Sequence, residues 1–166
     1  MRKIILVLIL MLGITYAQNN KMILDEKSGK QMLIGICDRT AFADTNYSWW
    51  FNAEYDNYAP DSAVVTKIKT IEPTCKIKIV MASWCGDSKR EVPRFYKIMD
   101  AAGYDYKSFE LVCVDREKKC EEGEVDKLDI KFVPTFIFSK NDIELGRIIE
   151  MPKGKLEEDI LEIVSK

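Results

Sequence analysis

The chain has 166 residues, enough for one domain with an ordinary core. Its 25 basic and 27 acidic residues leave a net charge of −2, and no basic cluster is interleaved with aromatics, so nucleic acid is not an expected partner. Histidine is absent, which removes the commonest general base and metal ligand, and with them serine-hydrolase and imidazole–zinc chemistry.

Residues 1–17 read as a secretory leader. Arg2 and Lys3 form a positive start, Ile4 to Ile14 an apolar stretch, and Thr15-Tyr16-Ala17 has small residues where a signal peptidase reads. The apolar stretch is shorter than the roughly 20 residues a spanning helix needs. Cleavage near Ala17, export to the periplasm or beyond, and no stable membrane anchor are therefore expected. The cysteines Cys37, Cys75, Cys85, Cys113 and Cys120 all follow the leader. In an oxidising compartment cysteines tend to pair, and an odd set leaves at least one thiol free or joined to another molecule.

After the leader, residues 18–30 read as a loose lead-in to a single domain over 31–166. Met32 to Cys37 reads as a first strand ended by Asp38. Tyr47, Trp49, Trp50, Phe51, Tyr55 and Tyr58 then crowd one segment, with Trp50, Tyr55 and Tyr58 near one helical face and Glu54 and Asp56 pointing away. Such a segment could be a recognition surface for an unfolded substrate, but aromatics dominate cores, and a helix packed on the sheet is the favoured reading. Asp61 or Ser62 can cap a helix through Val64, Val65, Ile68 and Ile71, with Pro73 as its stop.

Ile77, Ile79, Val80, Met81 and Ala82 form a short, mostly continuous apolar run, the pattern of a strand buried on both faces. Val92, Phe95, Ile98, Met99 and Ala102 follow at helical spacing, with Gly103 as a C-terminal cap. Phe109 to Asp115 reads as the next buried strand, with Cys113 as a small core residue and Cys120 exposed beyond a charged turn. Glu121 to Leu128 suggests a short helix. Phe136 to Ser139 and Gly146 to Ile149 flank a turn at Lys140-Asn141-Asp142 and predict a hairpin. Leu156, Ile160, Ile163 and Val164 form a closing amphipathic helix. The order βαβ then ββα predicts an α/β fold, a central mixed sheet with helices on both faces.

Between the central strand and its helix lies Ser83-Trp84-Cys85-Gly86-Asp87-Ser88. A cysteine at such a junction sits beside unpaired backbone N–H groups and the positive end of the helix dipole, and both stabilise the nucleophilic thiolate. Asp87 opposes a second anion there, whereas Lys89 and Arg90 favour it, so the net effect is open at this level.

Trp84-Cys85-Gly86-Asp87-Ser88 resembles the Trp-Cys-Gly-Pro-Cys site of the thioredoxin superfamily, with Ser88 in place of the second cysteine. Pro93 stands where those proteins kink the active-site helix, and Val133-Pro134-Thr135 resembles their cis-proline loop. The likeness covers roughly residues 75–166. It implies a thioredoxin-like fold with Cys85 as the attacking sulfur and Ser88 as a hydrogen-bond donor to its thiolate. Trp84 and Gly86 would shape the turn, and Val133, Pro134 and Thr135 would bind an extended substrate segment. No cofactor or metal is implied, and a monomer is expected.

Two departures bear on activity. Ser88 cannot release a mixed disulfide by internal attack, so another thiol must do so. Ile79 stands where many thioredoxins hold a buried aspartate that assists that release. Both fit disulfide shuffling, or reduction through a mixed disulfide at Cys85, acting on exported proteins or low-molecular-weight thiols and disulfides. The alternative to this favoured reading is a non-catalytic binding or chaperone module that uses the cis-proline groove. Cys120, Cys75 or Cys37 could also serve as a distant resolving thiol.

Overall fold

The computed structural model describes residues 19–71, 75–120, 123 and 125–166. The leader at 1–17 and the helix stop at Pro73 lie outside the described residues. Among those described, no helix is long and apolar enough to cross a membrane.

Residues 19–30, within the expected 18–30 lead-in, are not loose. Strand β1 (Met22–Asp25) pairs antiparallel with β2 (Lys30–Leu33), closed by a turn in which Gly29 adopts a left-handed φ of 67°. The strand escapes a sequence reading because it is only four residues long and inverts the usual pattern, leaving Met22 and Leu24 exposed while burying Asp25. The single strand expected over 32–37 is likewise divided. Gly35, at a left-handed φ of 76°, turns the chain between β2 and β3 (Gly35–Cys37), which belongs to a different sheet.

That second sheet has the order β3-β5-β4-β6-β7, adding β4 (Lys76–Met81), β5 (Phe109–Cys113), β6 (Thr135–Lys140) and β7 (Ile143–Ile149). β4 is central, parallel to β5 and antiparallel to β6. The predicted hairpin forms with a tighter turn than expected, because Lys140 pairs with Ile143: Asn141 and Asp142 both take left-handed φ values, 53° and 62°, the geometry of a two-residue hairpin. The sequence also anticipates the helices α2 (Ser62–Thr70), α3 (Gly86–Ala102) and α4 (Leu156–Val164). Asp61 caps α2 by accepting from the N–H groups of Ala63 and Val64 at 3.0 and 3.4 Å. Gly103 ends α3 at a left-handed φ of 82°.

The aromatic segment forms helix α1 (Ser48–Asn57), which packs against α3 rather than directly on the sheet. Its Phe51 stacks on Phe42 at 4.6 Å and Trp50 meets Phe42 edge-on, so these rings are core and not a recognition surface. Glu54 does not point away. Its carboxylate accepts two bonds from Arg94 of α3, at 2.7 and 3.0 Å.

The main core lies between the helices and one sheet face, where Phe95 of α3 stacks on Phe136 of β6 at 4.7 Å. On the other face Val80, Ala82, Val112 and Val114 meet Val125 and Val133, against which Trp84, Cys85 and Cys120 also pack. Cys120 is thus half-buried rather than exposed. Val125 to Asp129 form turns rather than the expected helix, and 121, 122 and 124 lie outside the described residues.

Candidate active site

β4 buries alternate side chains on opposite faces and delivers Ala82 and Ser83 to the carboxyl edge of the central strand. The chain then turns and α3 begins, with Cys85 as its N-cap residue in extended conformation (φ −85°, ψ 131°). The turn is closed by the Cys85 N–H donating to the Ala82 carbonyl at 3.0 Å. The Cys85 thiol is half-buried and donates to the Val133 carbonyl at 3.2 Å. The Val133–Pro134 peptide is cis, and the loop carrying Val133 meets the start of α3 at Cys85.

Among the described residues no bond joins Ser88 to the sulfur. The serine is fully buried, and its Oγ accepts the Ala82 N–H at 3.2 Å, which corrects the expected donation to the Cys85 thiolate. The hydroxyl instead holds the end of β4 to the first turn of α3. Gly86 also differs from expectation. Its φ is not left-handed and an added Cβ would meet nothing within 4 Å, so the turn does not require glycine. What the glycine leaves is open space beside Cys85. Thr135 is buried and donates to the Phe132 carbonyl at 2.7 Å, shaping the cis-proline loop from within. Phe132 itself is 50% exposed, an apolar lip beside Val133. Asp87 is matched by Arg90 at 2.8 Å, and Arg90 also binds Glu91 at 2.6 Å. The acid of the motif is therefore ion-paired, sharing Arg90 with Glu91.

Trp84 is fixed from two sides. Its indole N–H donates to the Val114 carbonyl at 3.2 Å, and the Arg116 guanidinium lies 4.9 Å from its ring centroid. Arg116 in turn grips Asp25 of β1 through two bonds of 2.8 and 2.7 Å. The Arg116 hydrogen bond, aided by Ser28, holds the Asp25 carboxyl well below the usual carboxylate range. A second tie joins hairpin and motif: the Leu33 N–H donates to Ser83 Oγ at 3.0 Å. Asp25, Ser83 and Arg116 were not among the residues the sequence nominated. Asp25 and Arg116 are 91 positions apart, and no local pattern announces such a pair.

The other thiols divide by environment. Cys37 and Cys113 are buried, and both the neighbouring Cys37 thiol and burial push Cys113 well above an ordinary thiol. Burial also raises Cys75. Among the described residues no group of three or more Cys, Asp or Glu side chains is arranged to hold a metal ion.

A cysteine at the N-cap of the helix that follows the central strand, facing a cis-proline loop across a five-stranded mixed sheet, defines a thioredoxin-like α/β protein. No protein-family model matches the sequence. Individual relatives do. A thioredoxin from Malassezia sympodialis is 32% identical over 76 residues, covering 46% of this chain and 69% of the relative. A thioredoxin from Gallus gallus is 30% identical over 83 residues, covering 50% and 73%. Among solved structures, a Pseudomonas aeruginosa protein of unknown function superposes with a TM-score of 0.55 at 17% identity, covering 80% of this chain and 93% of that one. An HIV epitope-scaffold superposes with a TM-score of 0.57 over the same shares, also at 17% identity. The chain belongs to the thioredoxin superfamily.

Proposed function

We propose that this chain is an exported thiol–disulfide exchange protein working through one sulfur, Cys85. The observation that supports it best is the pairing of two facts. Cys85 is the N-cap residue of α3 with its Sγ 3.2 Å from the Val133 carbonyl, while the position of a second sulfur holds Ser88, buried and bonded to the backbone of Ala82. In the first step the Cys85 thiolate attacks one sulfur of a substrate disulfide. The Cys85–substrate S–S bond forms, the substrate's own S–S bond breaks, and its other sulfur leaves as a thiolate. A thiol from outside the chain then attacks the mixed disulfide and frees one sulfur as thiolate. The Phe132 lip and the Val133 backbone give an extended polypeptide substrate an edge to lie along. Export rests on Arg2, Lys3, the Ile4–Ile14 stretch and Thr15-Tyr16-Ala17.

The experiment is adduct trapping with a peptide disulfide, followed by mass spectrometry. Wild type should gain one peptide at Cys85 and hold it until an external thiol is added, and C85S should gain none there. S88C should release the peptide unaided. Failure of the wild-type protein to form an adduct at Cys85 would favour instead a binding module that uses the same groove without chemistry.

A further inference from the structure

Beside the Cys85 turn, the N-terminal hairpin encloses a cavity of about 450 Å³, within the roughly 300–1,000 Å³ of small-molecule sites. Trp84 and Lys89 of the motif region line one side, Asp25 and Lys30 of the hairpin another, and Trp49 and Arg116 the rest. Trp49 is 67% exposed, yet its ring lies only 6.0 Å from the Lys89 ammonium.

The charges here do not cancel. Asp25 is the acid in the wall, and its oxygens are taken by Arg116 and Ser28. Lys30 stands opposite Asp25 across the hairpin but forms no ion pair with it. Lys89 has no carboxylate partner among the described residues either. Burial and the nearby Lys30 both push the Lys89 ammonium below the usual lysine value, while Cys85 pulls it back up. Lys89 is one helical turn beyond Cys85, its N–H donating to the Cys85 carbonyl at 3.1 Å. Two ammonium groups without a carboxylate partner among the described residues thus share the cavity, and one of them, Lys89, interacts electrostatically with Cys85. The protein as a whole is slightly acidic, so this is a local attraction for anions on a surface that otherwise repels them.

We infer that the cavity receives the carboxylate end of a small anionic thiol, and that Lys30 and Lys89 select it as the thiol that clears Cys85. The inference rests on the exchange reading above. The step balances without a further oxidant or reductant. One anionic thiolate attacks Cys85 Sγ in the mixed disulfide and expels the substrate as its thiolate. A second attacks the small thiol's sulfur, frees Cys85 as thiolate, and leaves the small molecule as its symmetrical disulfide.

The test compares release of the Cys85–peptide adduct by mercaptosuccinate, 2-mercaptoethanol and cysteamine, with rates corrected for thiolate concentration. Wild type should favour mercaptosuccinate by about tenfold, a preference that added salt erodes. K30Q/K89Q should react with all three at rates within about twofold of one another. Equal corrected rates in wild type would overturn the inference while leaving exchange at Cys85 intact. A binding measurement separates the two claims. Quenching of tryptophan fluorescence in C85S by S-methylmercaptosuccinate, a thioether that cannot exchange, should saturate, and the lysine double variant should abolish it. Saturable quenching in a protein whose Cys85 takes no adduct would support the anion site and count against the exchange reading. Quenching that is equal with and without the lysines would overturn the site.

Discussion

Ser88 decides much of the chemistry by what it replaces and much of the geometry by what it holds. Its Oγ is the partner of the buried Ala82 N–H, so S88A should leave that donor unsatisfied and lower stability by about 1–3 kcal/mol, read from urea unfolding. S88C tests the other half of the role: an intramolecular disulfide with Cys85 should form on mild oxidation, which the native chain cannot make at that position. The Cys-x-x-Ser spacing was legible from the sequence because it is local and lies on a strand-to-helix boundary. The direction of the Ser88 hydroxyl was not legible, since a serine one turn from a cysteine can bond the sulfur or the backbone, and only the closeness of β4 selects Ala82. Gly86 illustrates the same limit. Glycine before a helix suggests a turn that needs it, but the backbone there is one that other residues adopt.

At the level of elements, the β1–β2 hairpin is the part a sequence reading lost and the site depends on. Its attachment runs through Asp25 to Arg116 and through the Leu33 N–H to Ser83. The Asp25 carboxyl is held low in the folded protein, so the stability it contributes is fully present above the ordinary carboxylate value of about 4 and is lost as the pH falls through the depressed folded value. Hydrogen exchange over residues 22–33 should therefore accelerate in acid before the α3 core does. D25N should show fast exchange in that segment already at neutral pH, with no further acid step, and should alter Trp84 fluorescence by freeing Arg116. By contrast α2, α3 and α4 were legible almost to the residue. Each shows a helical apolar stripe, and Asp61 and Gly103 mark boundaries with side-chain and backbone chemistry that is local. The segment over 121–128 carried a weaker pattern, interrupted by Gly123 at a left-handed φ of 71°.

Across the whole molecule, the sheet and its helices form a frame whose purpose is to fix the Cys85 edge against the Val133 loop. Phe95 ties α3 to that frame through its stack on Phe136, and F95A should cost about 3–5 kcal/mol in unfolding free energy. The frame was legible because β4, β5 and β6 are mostly apolar segments in an order that leaves few topologies open. The arrangement of the five sulfurs around it was not, since burial of each depends on contacts from distant elements. That arrangement makes the central claim directly measurable. Brief alkylation of the folded, reduced protein, with the modified cysteines mapped over time, should label Cys85 first and fastest and the buried Cys37 and Cys113 last. Labelling of Cys85 no faster than Cys75, or recovery of Cys85 bridged to Cys120 from the untreated protein, would contradict exchange through a single sulfur.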